Sequence, residues 1–217
     1  MKNQHILIYG AGGHGIVVAD SIKAMQAEGQ KVEVRGFLDD NDAKWNKKFL
    51  GFPVLGSAEK LKKFSDDLVV VAVGDNGIRK KIVNILAIDY DRYFTAIHPS
   101  AVISPSVHIG NGCMICAKAV VNPESHIGDH VILNTGCTVD HHNRIGNFVH
   151  LAPGVHTGGD VGVGKDSFLG IGVSVLPGRK IGNNVMIGAG SVVTCNVDDS
   201  MVACGVPAKA IKRRGGL

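Results

Sequence analysis

Between residues 103 and 193 an aliphatic side chain returns at every sixth position. The series runs Ile103, Ile109, Ile115, Val121, Ile127, Leu133, Val139, Ile145 and Leu151, and, after a break at Thr157, Val163, Leu169, Val175, Ile181, Ile187 and Val193. Two positions ahead of each, small or aliphatic residues recur, among them Cys113, Ala119, Val131, Cys137, Val155 and Val173. Neither 3.5 nor 3.6 residues per turn holds its phase at a spacing of six, which excludes an α-helix or a coiled coil. The strict six-residue beat predicts a parallel β-helix, in which each short strand forms one side of a prism. Three sides make one coil, so Ile109, Ile127, Ile145, Val163 and Ile181 should form one column, with coils about 4.8 Å apart. Glycine often follows the inward position (Gly110, Gly128, Gly146, Gly164, Gly182), where it is expected to let the backbone turn the corners.

The first 98 residues carry a different pattern. A short apolar run at 5–9 leads into Gly10-Ala11-Gly12-Gly13-His14-Gly15, and helical spacing follows over 16–25. Gly10, Gly12 and Gly15 satisfy the G-x-G-x-x-G spacing, a turn that offers backbone N–H groups and a helix N-terminus to a phosphate or diphosphate. A second strand over 31–38 ends at Asp39-Asp40, where an acidic residue meets a ribose or base in dinucleotide folds. Residues 68–73 read as a buried parallel strand followed by a helix through Leu86, and 93–97 as a fourth strand. This half-sized α/β unit suits a nucleoside diphosphate carried on a sugar better than a whole NAD. The residue before Pro99 is pushed to extended geometry, which marks a junction at His98. The expected domains are 1–98, Rossmann-like; 99–197, β-helix; and 198–217, a C-terminal extension.

Composition adds little. The net charge of +4 is too modest to argue for nucleic acid, and 45% hydrophobic with 19% charged residues is an ordinary globular balance. No run approaches the ~20 apolar residues of a membrane span, and the expected location is cytoplasmic. Cys113 and Cys116 form a CxxC, but Cys113 and Cys137 fall on the small-residue phase of the six-residue beat, so they read as packing residues and no metal is expected.

Taken together, GAGGHG at 10–15, FLDD at 37–40, VGDN at 73–76, IHPSA at 97–101, NTG at 134–136, VDHH at 139–142 and GVPAK at 205–209 resemble one family. It is the hexapeptide-repeat N-acetyltransferases that modify nucleotide-linked 4-amino-4,6-dideoxy sugars, with sialic acid O-acetyltransferases as relatives. The resemblance implies a small Rossmann-like domain followed by a left-handed parallel β-helix, assembled as a homotrimer with active sites between subunits. It also implies acetyl-CoA as co-substrate and a UDP-, dTDP- or GDP-linked amino sugar as partner.

The resemblance makes His141 the base that takes the amine's proton, a task suited to an imidazole. The following residue, normally acidic and orienting, is His142 in this chain. Either Asp140 orients His141, or that role has lapsed. Gly159, eighteen residues on, should stack one coil away and present its N–H to the thioester oxygen. Asn134 and His150 match positions near the sugar and the CoA arm, while Gly10, Gly12, Gly13, His14, Asp39 and Asp40 match the sugar-nucleotide side. Gly205, Pro207 and Lys209, leaving the β-helix, match the segment beside CoA. His108, His126, His130 and His156 occupy outward phases and are expected at the surface. O-transfer to a sugar hydroxyl is the alternative reaction.

Overall fold

The computed structural model describes residues 3–215. Strand β1 (Gln4–Tyr9), helix α1 (Gly13–Ala27), β2 (Val32–Leu38), β3 (Lys48–Phe49), β4 (Phe52–Gly56), β5 (Leu68–Val71) and α2 (Asn76–Leu86) form the N-terminal unit. Its sheet runs β3-β4-β2-β1-β5, parallel except at the β3–β4 hairpin. Gly15 allows α1 to lie on the sheet, because a Cβ there would stand 1.8 Å from the Gly10 carbonyl oxygen.

The fourth strand expected over 93–97 does not join this sheet. Only Tyr93 bridges to Val69, and β6 (Ala96–Ile97) pairs in parallel with Met114–Ile115 as the first rung of the β-helix. The Thr95 hydroxyl donates to the Gly110 carbonyl and accepts the Cys113 N–H, which draws the chain onto the prism three residues before His98.

From β7 (Val102–Ile103) to β22 (Val192–Val193), two-residue strands begin every sixth residue and stack in three parallel sheets. Ile109, Ile127, Ile145, Val163 and Ile181 pair in register as one column. Burying an aliphatic side chain of this size stabilises the fold by about 1.5–3 kcal/mol, so the ladders hold the prism together.

The glycines after the inward positions act differently from the expectation. Positive φ occurs instead at every sixth residue from Gly112 to Gly190, with Lys118, Glu124, His130, His142 and Phe148 among the residues that adopt it. Gly110, Gly128 and Gly146 answer to close approach of the next coil: a Cβ at Gly146 would lie 2.7 Å from the Lys165 nitrogen.

At the C-terminal end the parallel coils give way to a hairpin on the third sheet. Strand β23 (Met201–Gly205) adds to the third sheet, and β24 (Ala208–Arg213) turns back antiparallel on it. Among the described residues no helix is long and apolar enough to cross a membrane.

Candidate functional site

Helix α2 joins the two halves. Arg79 is fully buried, and its guanidinium donates to the carbonyls of His130 (3.0 Å), Phe148 (2.9 Å) and Val73 (2.9 Å) and to the Asn76 side chain (2.9 Å). Burial lowers it to about 10, which leaves it charged at neutral pH. The Asn76 amide donates in turn to the Ser167 carbonyl at 2.9 Å. This docking covers His130, which is 4% exposed, stacked on Phe148 (5.0 Å) and edged by Tyr93 (4.7 Å). His130 is therefore a core residue, contrary to its outward phase; His108, His126 and His156 are exposed.

The docking creates a seam where the Gly-rich turn meets the β-helix. His150, at 8% exposure, has Nδ1 3.0 Å from the Gly74 carbonyl oxygen and Nε2 3.1 Å from the Asn134 amide nitrogen. A carbonyl only accepts, so the proton sits on Nδ1, and Nε2 accepts from Asn134. The His14 ring lies 6.2 Å from that of His150, and its buried Nε2 has no partner among the described residues. Burial pulls both imidazoles down to about 4 and keeps them neutral.

On the nucleotide side, Asp39 Oδ2 accepts the Ala11 N–H and the Lys44 ammonium, each at 2.8 Å. Burial works against the Asp39 charge, but these hydrogen bonds prevail and hold the carboxyl below its usual range. Asp40 accepts the Tyr9 hydroxyl and the Ala58 N–H. Gly12 caps α1 and Gly13 opens it; no side chain shields either, and both are exposed.

His141 stands at a different corner, one side of the prism further on. Its backbone N–H donates to Asp140 Oδ1 at 2.8 Å, an oxygen that also takes the Asn122 amide at 2.8 Å. The Asn122 amide and the His141 N–H hold the Asp140 carboxyl below its usual range. The His141 ring contacts His142 instead, Nδ1 to Nδ1 at 3.0 Å, with the rings edge to face at 5.1 Å. Asp140 thus braces the backbone of His141, and His142 stands against the ring.

Beneath this loop the fully buried Asn143 sends its amide to the carbonyls of Asp140 (2.8 Å) and Gly158 (2.9 Å). Ser125 also donates to the Asp140 carbonyl at 2.8 Å. Gly159 lies one coil away, and a Cβ there would stand 2.4 Å from His141 Cε1. Its N–H donates to no group among the described residues. No hydrogen bond or ring contact among those residues joins the His141 corner to the His14–His150–Asn134 seam.

Gly205, Pro207 and Lys209 lie on an exposed hairpin, with Cys204 opposite Lys209. Burial pushes the thiols of Cys113 and Cys137 up to about 12 and that of Cys116 to about 11, so all three stay protonated.

The residues that hold the site and escaped the sequence reading are Arg79, Asn143 and Ser125. The last two had a signal, since each is polar at a phase occupied elsewhere by Val, Ala or Cys.

Comparison with known proteins converges. Residues 5–86 match the PglD N-terminal domain, and 160–195 match the bacterial transferase hexapeptide repeats. UDP-N-acetylbacillosamine N-acetyltransferase of Bacillus subtilis is 36% identical over 119 residues; the match spans 54% of this chain and about half (52%) of that relative. The acetyltransferase domain of PglB from Neisseria gonorrhoeae superposes with a TM-score of 0.86 at 38% identity, covering 96% of this chain and 100% of that one. PerB from Caulobacter crescentus, solved with CoA and GDP-perosamine, gives a TM-score of 0.86 at 39% identity, covering 96% and 97%. With fold, motifs and near-complete coverage in agreement, the chain belongs to the nucleotide-sugar N-acetyltransferase family.

Proposed function

We propose that the chain transfers the acetyl group of acetyl-CoA to the 4-amino group of a nucleotide-linked 4-amino-4,6-dideoxy sugar. The observation that carries this reading is His141 itself: an exposed imidazole on a braced backbone, with Nδ1 tied to His142 and no partner for Nε2 among the described residues. When bound, acetyl-CoA supplies an activated acyl carbon. His141 Nε2 takes the proton the amine sheds as the C–N bond forms, and returns it to the thiolate as the C–S bond breaks. The Gly159 N–H is the candidate donor to the carbonyl oxygen as negative charge gathers there.

The Gly-rich turn, with Gly10, Gly12, Gly13 and His14, receives the diphosphate, bordered by Asp39 and Asp40. Asn134 and His150 face the sugar and the CoA arm from the seam, and Gly205, Pro207 and Lys209 flank the CoA end. Because the His141 corner and the seam are separate in one chain, a complete site takes His141 from one subunit and the seam from its neighbour. This supports a homotrimer.

The test is a thiol-release assay with acetyl-CoA and UDP-, dTDP- and GDP-linked 4-amino sugars. Release with one of them, and N-acetylation of the product by mass spectrometry, is expected. No release with any of the three, or a product acetylated on oxygen, overturns the reading.

A further inference from the structure

We propose that the exposed face of Trp45 is the platform on which the nucleobase stacks, an inference that rests on the nucleotide-sugar reading. In open α/β sheets ligands lie beyond the carboxyl ends of the strands, and β2 ends at Leu38, directly before Asp39. The Trp45 indole Nε1 donates to the Asp39 main-chain oxygen at 2.7 Å, while the Asp39 carboxylate accepts the Ala11 N–H of the Gly-rich turn. One residue therefore separates the indole from the turn that would cradle the diphosphate.

The carboxylates beside it are engaged by the chain itself. Asp39 holds Ala11 and Lys44 on Oδ2 and the Asn41 N–H on Oδ1, and Asp40 holds Tyr9 and Ala58. An ionised carboxylate has roughly four lone-pair sites, so Asp39 keeps little capacity for a ribose or base. Its part is to brace the 39–45 segment, which the Asn41 side chain tightens by accepting the Ala43 N–H and the Asp42 carbonyl by accepting the Trp45 N–H. What this brace presents is a tryptophan that is 39% exposed, with the one polar atom of its indole already bonded. No ring or cation among the described residues stacks on it. A flat apolar face held rigidly beside a diphosphate turn is the chemistry that recognises a base, and stacking accepts any base because each has a π-face.

Trp45 is the only tryptophan of the chain, so its fluorescence reports on itself alone. UDP, dTDP and GDP are titrated into the full chain, with inorganic pyrophosphate as control, and binding is measured in parallel by calorimetry. Saturable quenching by a nucleoside diphosphate but not by pyrophosphate is expected. Trp45→Leu should bind that nucleotide about 10-fold or more weakly, and Trp45→Phe should recover most of the loss. Calorimetric binding without a fluorescence change, and unaltered in Trp45→Leu, overturns the stacking proposal alone. Failure of all three nucleotides to bind the wild-type chain overturns the nucleotide-sugar reading and the stacking proposal together.

Discussion

The Nδ1 atoms of His141 and His142 lie 3.0 Å apart. Two neutral imidazoles can share such a contact only if one donates and the other accepts. For His141 to take a proton at Nε2, its Nδ1 must carry the hydrogen and His142 must accept it. His142 then serves as the acceptor at the position where the family resemblance implies an acid. His142→Ala should lower kcat about 10-fold by freeing the ring, and His142→Asp should recover or exceed the wild-type rate, because a carboxylate accepts the same bond and steadies the imidazolium. A wild-type kcat in His142→Ala would end the orienting role.

Removing the proposed base, His141, should cost more. His141→Asn is expected to lower kcat by about 10²-fold or more and to leave the KM for both substrates within about threefold, as for an interaction made chiefly in the transition state. Steady-state kinetics against both substrates decide it.

Gly159 probes the same corner from below. A methyl group there would overlap the His141 ring, and an imidazole on a corner can swing out where a backbone cannot. Gly159→Ala should therefore reduce kcat by about 10- to 100-fold, the range a misplaced base brings. Its Tm should stay close to wild type; a large fall in Tm would show that the coil itself had been disturbed.

Arg79 is the stability test. Replacing it with Met strands the His130, Phe148 and Val73 carbonyls in a buried seam. Leaving buried acceptors unmade costs about 1–3 kcal/mol each, and the loss in urea denaturation should reach at least about 3 kcal/mol. The nucleotide-sugar KM should rise as well, because the same side chain reaches the Gly74 carbonyl that holds His150.

Acid should loosen the seam. His14, His130 and His150 are each drawn down from 6.5 to about 4, chiefly by burial. The unfolded chain therefore binds protons that the folded chain refuses. The stability this gives is fully present above pH 6.5 and is lost as pH falls towards 4. Calorimetric Tm measured across that window should drop steeply, and His130→Phe should flatten the slope.

The beat of inward positions was readable because ladder packing leaves almost no choice at those phases. Departures from it carry a signal too, marked at Thr157 but missed at Asn143: both polar intrusions lie under the loop that carries Asp140 and His141. The Asp140 N–H reaches the Thr157 hydroxyl at 3.4 Å. Hidden from the sequence was everything set by the docking of the two halves. His130 is buried only because Arg79 and Tyr93 close over it, and no local pattern around Arg79 marks it as an internal clamp. His14 and His150 are 136 positions apart and meet only through that docking. The glycines stand out in the sequence without their reason, since a motif does not reveal whether a missing side chain serves torsion or clearance.

The positive φ that recurs from Gly112 to Gly190 also governs how this chain could change length. Adding or deleting one or two residues inside a side would put an unsuitable torsion at every later bend and turn inward side chains to solvent. Whole turns of eighteen residues can be gained or lost freely; anything shorter must bulge outward at a bend. Homologous chains should therefore differ in prism height by complete storeys, with odd-sized insertions confined to the edges.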